Sequence, residues 1–87
     1  MSARVTLYAR PGCHLCEDAR LVVEAVCAEL GESFREVDIT AGPDAEELTR
    51  AYGDEIPVTF VDGRQHDFWR VDAARLRAAL AGPPTTP

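Results

Sequence analysis

The run Arg10-Pro-Gly-Cys13-His-Leu-Cys16 constrains this chain most, because it joins a short β-like stretch at residues 4–8 to the start of an amphipathic helix. Two cysteines three residues apart at a helix start stand nearly one turn apart on nearly one face, within bonding reach of each other. The helix N-terminus brings unpaired N–H groups and partial positive charge to the first thiol and favours its thiolate. Only the thiolate attacks a disulfide. Cys13 is therefore expected to be the exposed nucleophile and Cys16, a turn further in, the resolving thiol. The same spacing is half of a zinc site, but a structural zinc wants four ligands. The remaining thiol and imidazoles, Cys27, His14 and His66, stand at no metal-ligand spacing. Redox chemistry is the stronger reading.

At 87 residues the chain makes one small domain, with length enough for a modest core without disulfide staples. Three cysteines are too few, and odd in number, for a secreted disulfide scaffold. Residues 1–4 run straight into the strand pattern with no secretion signal, and no apolar run is long enough to cross a bilayer. A reducing cytoplasm is the expected compartment, where a disulfide is transient and catalytic. The net charge of −6 argues against nucleic acid and anionic membranes as partners.

Along the chain, Leu15, Ala19, Val22, Val26 and Leu30 recur at helical steps and predict one buried face of a long helix that Gly31 stops. Residues 33–39 read as a second strand. Asp44, with Glu46 and Glu47, starts a short helix ending near Tyr52. Residues 56–61 form a strand opened by Pro57, Asp62-Gly63 a hairpin turn, and residues 65–69 the returning strand. Asp72 caps a final helix. Domain 1–81 is then followed by a frayed tail, 82–87. The order β-α-β-α-β-β-α predicts an α/β fold of thioredoxin type, a four-stranded mixed sheet covered by three helices. Strands one to three are expected to form parallel crossovers, with the hairpin adding an antiparallel edge. Leu7, Val37, Ile39, Val58 and Phe60 are the expected interior of the sheet.

With Cys-x-x-Cys after strand one and Ile56-Pro57 opening strand three, residues 4–80 resemble the glutaredoxin branch of thioredoxin-fold oxidoreductases. The likeness is greatest to small bacterial members carrying Pro-Gly-Cys-His-Leu-Cys. The resemblance implies that Cys13 and Cys16 are the nucleophile and resolving pair. It also implies that Pro57 is the family's cis-proline facing them, and that Arg10 is a cation near the thiolate and the glutathione carboxylate. A cis bond there would leave the Ile56 N–H and C=O free to pair with an extended substrate. The implied activity is thiol–disulfide exchange, with no resident cofactor, on protein or low-molecular-weight disulfides. The implied reductant is thioredoxin reductase or a low-molecular-weight thiol such as glutathione, and the protein is expected to act as a monomer. The alternative is a metal protein in which two subunits share a [2Fe–2S] cluster through Cys13.

Departures from the family concern the substrate. Glutaredoxins carry paired glycines and an acidic residue after the hairpin to receive the γ-glutamyl end of glutathione. Residues 64–72 have no adjacent glycines, and Phe68 and Trp69 stand there instead. Glutathione is thus expected to be a poor partner, and the Trp69-Arg-Val-Asp72 segment looks more like redoxins recharged by thioredoxin reductase. His14 replaces a usual proline; it is either a protonated neighbour that stabilises the Cys13 thiolate or an exposed neutral imidazole. Trp69 is expected in the core and His66 on the surface. Cys27 lies 11 residues past Cys16 on the same helix, about 16 Å along the axis. It is too far to bond either thiol and reads as a partly buried helix residue.

Overall fold

Val5, Leu7 and Ala9 are buried while Thr6 and Tyr8 between them are partly exposed, and this two-residue period makes β1 (Val5–Ala9). The computed structural model describes residues 3–83. Six elements follow β1: α1 (His14–Leu30), β2 (Phe34–Asp38), α2 (Ala45–Tyr52), β3 (Val58–Val61), β4 (Arg64–Phe68) and α3 (Ala73–Ala81). The strands form one mixed sheet in the order β2-β1-β3-β4. Of the expected tail, residues 84–87 lie outside the described residues, and Gly82 leaves α3 in extended backbone.

The sheet differs from expectation in one direction. β1 and β2 are parallel, with Ala9 opposite Asp38, but β3 runs antiparallel to β1, with Val58 opposite Tyr8. The 17-residue α1 spans about 25 Å and carries the chain back to the start of β1's neighbour. The eight-residue α2 spans about 12 Å, and the chain enters β3 at the same end of the sheet where it left β2. Asp62 and Gly63 then close the β3–β4 hairpin with φ of 53° and 82°.

Two apolar clusters divide the core. The first joins Val5, Val23, Val26, Cys27, Val61, Leu76 and Leu80, and it seats α1 and α3 on the sheet. The second joins Ala9, Cys16, Ile39, Ile56 and Val58 at the carboxyl end of β1. Leu7, Ile39 and Val58 are buried as expected, whereas Val37 and Phe60 are only partly covered. On α1 the buried stripe is Cys16, Ala19, Val23, Val26 and Cys27; Leu15 and Val22 are half-buried and Leu30 is exposed. The stripe is rotated from the expected one because Cys16 packs at the carboxyl end of β1 and Val23 and Cys27 pack with Leu76 and Leu80 of α3. Gly31 ends α1 at φ 69°, donating its N–H to the Cys27 carbonyl. Asp44 precedes α2 without a side-chain cap, whereas Asp72 caps α3 by accepting the Arg75 N–H at 3.0 Å.

Candidate functional site

β1 ends at Ala9, and Arg10, Pro11 and Gly12 turn the chain into α1. Gly12 sits at φ 76°, a left-handed conformation that side chains disfavour. Cys13 follows as the N-cap residue in extended backbone, and its Sγ accepts the Cys16 N–H at 3.2 Å. Its carbonyl accepts the Glu17 N–H at 3.1 Å, so both ends of Cys13 are tied into the first turn. Cys13 and Cys16 are paired as a disulfide with Cα atoms 5.1 Å apart. Cys13 is half-exposed; Cys16 is 3% exposed and packs with Ala9, Ile39, Ile56 and Val58. Around them Tyr8, Tyr52 and Phe60 form an aromatic trio, Tyr8 stacked on Tyr52 with centroids 5.1 Å apart.

A polar depression of about 180 Å³ adjoins Cys16, lined by Arg10 and Arg20 together with Glu17, Glu36 and Asp38. The Asp38 carboxyl is held below the usual range by the Thr40 hydroxyl at 2.6 Å and the Thr40 N–H at 2.8 Å. Arg20, Glu36 and Asp38 did not stand out in the sequence. The signal that could have found the last two is topological: parallel β1 and β2 end together, and sites in such sheets gather at strand carboxyl ends.

The Ile56–Pro57 peptide bond is cis and both residues are buried. The expectation that both Ile56 backbone groups are free is corrected: its N–H donates to the Tyr52 carbonyl at 3.0 Å. The last turn of α2 leaves the Tyr52 carbonyl unpaired within the helix, and the following loop satisfies it through Glu55 and Ile56. His14 opens α1 with its side chain 98% exposed and its Nδ1 3.8 Å from Glu17 Oε2.

The model of the Glutaredoxin-like domain (DUF836) matches residues 4–81. The chain belongs to this glutaredoxin-like family. A Mycobacterium tuberculosis relative of uncharacterised function is 36% identical over 80 residues, covering 90% of this chain and 82% of the relative. An X-ray structure of a structural-genomics target from X. campestris is 38% identical, covers 91% of this chain and 99% of its own, and has a TM-score of 0.69. A glutaredoxin from Archaeoglobus fulgidus, 17% identical with a TM-score of 0.61 over 92% of this chain and 88% of its own, shares the fold. The glutaredoxin-like fold and its Cys13–Cys16 pair support a redox-type function.

Two aromatic positions of this glutaredoxin-like protein correct the expectations. Trp69 is 52% exposed rather than in the core. It leaves β4 at φ 62°, which turns the ring outward, and its indole N–H donates to the Asp54 carbonyl at 3.0 Å. Phe68, 48% exposed, meets it edge-on at 5.0 Å between centroids. His66 is not a surface residue: only 13% of its side chain is exposed, and Nε2 is buried without a hydrogen bond, 3.7 Å from Asp67 Oδ2. The β3–β4 register passes from Asp67 to Gln65, so His66 is the extra residue of a β-bulge, which turns it inward. Cys27 is fully buried, and burial pushes its thiol pKa up, with Glu32 adding to the shift. Among the described residues no group of three or more His, Cys, Asp or Glu could hold a metal ion, and no helix is long and apolar enough to cross a membrane.

Proposed function

We propose that this chain is a thiol–disulfide oxidoreductase in which Cys13 is the nucleophile and Cys16 the resolving thiol. The observation that carries the reading is the Cys13 Sγ at the helix N-cap, accepting the Cys16 N–H while Cys16 is buried behind it. An N–H aimed at sulfur favours the thiolate, as does the partial positive charge of the helix end. Arg10 adds a cation at the same end of the sheet, and His14 would add a second when protonated.

In the reduced protein the Cys13 thiolate attacks one sulfur of a substrate disulfide, forming a mixed disulfide while the other sulfur leaves as a thiolate and takes a proton. Cys16, once deprotonated, attacks the Cys13 Sγ. That step breaks the mixed disulfide, releases the second substrate thiol and closes the Cys13–Cys16 disulfide. The substrate gains two electrons and two protons, which one dithiol or two equivalents of a monothiol restore to the protein. Buried Ile56 packs with Cys16, and in this reading it and the adjoining Pro57 frame the approach of the substrate.

The substrate class we propose is a polypeptide disulfide, with low-molecular-weight disulfides as lesser substrates. Thioredoxin reductase or a low-molecular-weight thiol supplies the electrons, in the cytoplasm, to a monomer. The test is catalysis of insulin disulfide reduction, driven in turn by thioredoxin reductase with its nicotinamide cofactor and by glutathione with its reductase. Turnover with the wild type and none with Cys13→Ser is expected; no turnover with any reductant would overturn the reading. A visible absorption band in the freshly purified protein would instead favour the shared [2Fe–2S] cluster.

A further inference from the structure

Trp69 directs every hydrogen-bond donor it owns at one loop. Its backbone N–H lies 2.8 Å from the Pro57 carbonyl and 3.2 Å from the Glu55 carbonyl, and its indole N–H lies 3.0 Å from the Asp54 carbonyl. That loop, residues 54–57, joins α2 to β3 and contains Ile56, which packs with Cys16. Yet the ring is half-exposed and the backbone left-handed, an uncommon conformation for a bulky residue. Core packing explains neither property.

The exposed ring does have a neighbour across a gap. It forms one wall of a depression of about 170 Å³, and Leu15, Ala19 and Val22 of α1 form the other. Leu15 lies between the two active cysteines in sequence, so the depression begins within two residues of Cys13, although neither cysteine lines it. Its rim carries one acid, Asp18, and one base, Arg70. No ion pair is seen for either among the described residues.

We propose that Trp69 is a specificity-determining residue, its ring receiving the polypeptide that flanks the disulfide attacked by Cys13. This rests on the oxidoreductase reading above. Once a mixed disulfide forms, the substrate chain is tethered at Cys13 Sγ, and each extended residue reaches about 3.3–3.6 Å further along the surface. A flanking apolar side chain thus falls into the depression within a few residues, between Leu15 and a ring held by its indole N–H and by the shared backbone N–H of the same residue. The opposite rim charges suit a peptide backbone and its polar ends better than an anion alone. A small disulfide, which extends no chain from the tether, would not reach the ring.

The test compares insulin, with dithiothreitol recycling the enzyme and the uncatalysed rate subtracted, with dipyridyl disulfide, added to the pre-reduced protein in a single turnover free of dithiothreitol. Trp69→Ala is expected to lower kcat/KM for insulin about 10-fold or more, chiefly through KM, as truncating a buried contact does. The rate with dipyridyl disulfide should stay near that of the wild type, and Trp69→Phe, which keeps a ring, should recover most of the insulin activity. Loss with both substrates alike, loss with neither, or a Phe variant as poor as the Ala variant would overturn the proposal. A wild type inactive on both substrates would instead remove the oxidoreductase reading. Should Trp69→Ala fail to fold, the emission of the wild-type indole serves, since Trp69 is the one tryptophan of the chain. In a Cys16→Ser protein trapped at Cys13, emission should shift with the insulin B chain and not with pyridine thiol; equal shifts overturn the proposal.

Discussion

Arg4 meets Asp62 side-on, Nε to Oδ1 and Nη2 to Oδ2, both at 3.0 Å. The same guanidinium reaches Glu32 Oε2 at 2.9 Å and the Leu80 carbonyl at 3.2 Å. One side chain thus ties the start of β1, the β3–β4 turn, the loop after α1 and the end of α3. This clasp lies at the pole of the sheet away from the dithiol, because β1 runs from Arg4 towards Cys13. The Arg4 and Asp62 side chains are 11% and 6% exposed, so the pair is largely removed from water.

Arg4→Met is expected to destabilise the fold by about 2–4 kcal/mol, because it takes a charged donor from two carboxylates, Asp62 largely and Glu32 partly shielded from water. Hydrogen bonding to Asp62 raises the guanidinium pKa further, so Arg4 stays charged and the loss should persist from neutral into alkaline pH. Denaturant unfolding measures it. A shift below about 0.5 kcal/mol, the scale of an exposed pair, would show that the clasp contributes nothing beyond geometry.

The order of the two thiols makes a separate prediction. Cys13 is half-exposed and Cys16 is 3% exposed, so a substrate sulfur meets Cys13 first. Cys16→Ser should accumulate a mixed disulfide visible as added mass under non-reducing conditions, and Cys13→Ser should form none. Equal trapping by both variants would reverse or abolish the assignment.

Cys27 offers a pH signature independent of activity. Its folded thiol pKa is raised above the reference value of 9.0, first by burial and then by Glu32. Above that reference the unfolded chain loses a proton that the folded chain keeps, so unfolding gains as pH rises. The stabilising difference is therefore fully present below pH 9 and is lost progressively above it. Cys27→Ala should flatten the alkaline fall in stability measured by thermal unfolding from pH 8 to 11. It should also abolish the slow alkylation seen at this site only when the protein opens. Rapid alkylation of Cys27 at neutral pH in the folded protein would contradict its burial among Val23, Val26 and Leu76.

These contacts also show where a sequence carries structure and where it does not. The Cys-x-x-Cys run, the Gly31 stop, the Asp62-Gly63 turn and the Asp72 cap were legible because each acts through its own few residues. The direction of β3 was not, since it depends on how far α2 carries the chain relative to the length of the sheet. Trp69 was misplaced for a related reason: apolar character suggested burial, while a left-handed backbone after β4 turned the ring outward. His66 shows the opposite case, a polar residue drawn inward by a one-residue bulge that no local pattern announces.

The same β4–α3 segment leads to the expectation that glutathione is a poor reductant. A γ-glutamyl carboxylate needs free N–H donors at close approach, which paired glycines permit. Here the Trp69 N–H is already committed to the Pro57 and Glu55 carbonyls. The N-terminus of α3 is occupied as well, since Asp72 Oδ1 accepts the Arg75 N–H and Asp67 Oδ1 holds the Arg75 guanidinium at 2.6 Å. An incoming carboxylate would have to displace Asp72 and stand close to the Asp67 charge. Losing charged hydrogen bonds of this kind corresponds to about tenfold or more in affinity. Hydroxyethyl disulfide turnover driven by glutathione and its reductase should therefore run well below insulin reduction driven by thioredoxin reductase. A wild type that turns over hydroxyethyl disulfide as fast as it reduces insulin would show that the occupied donors are no obstacle, and the preference for thioredoxin reductase would fall with it.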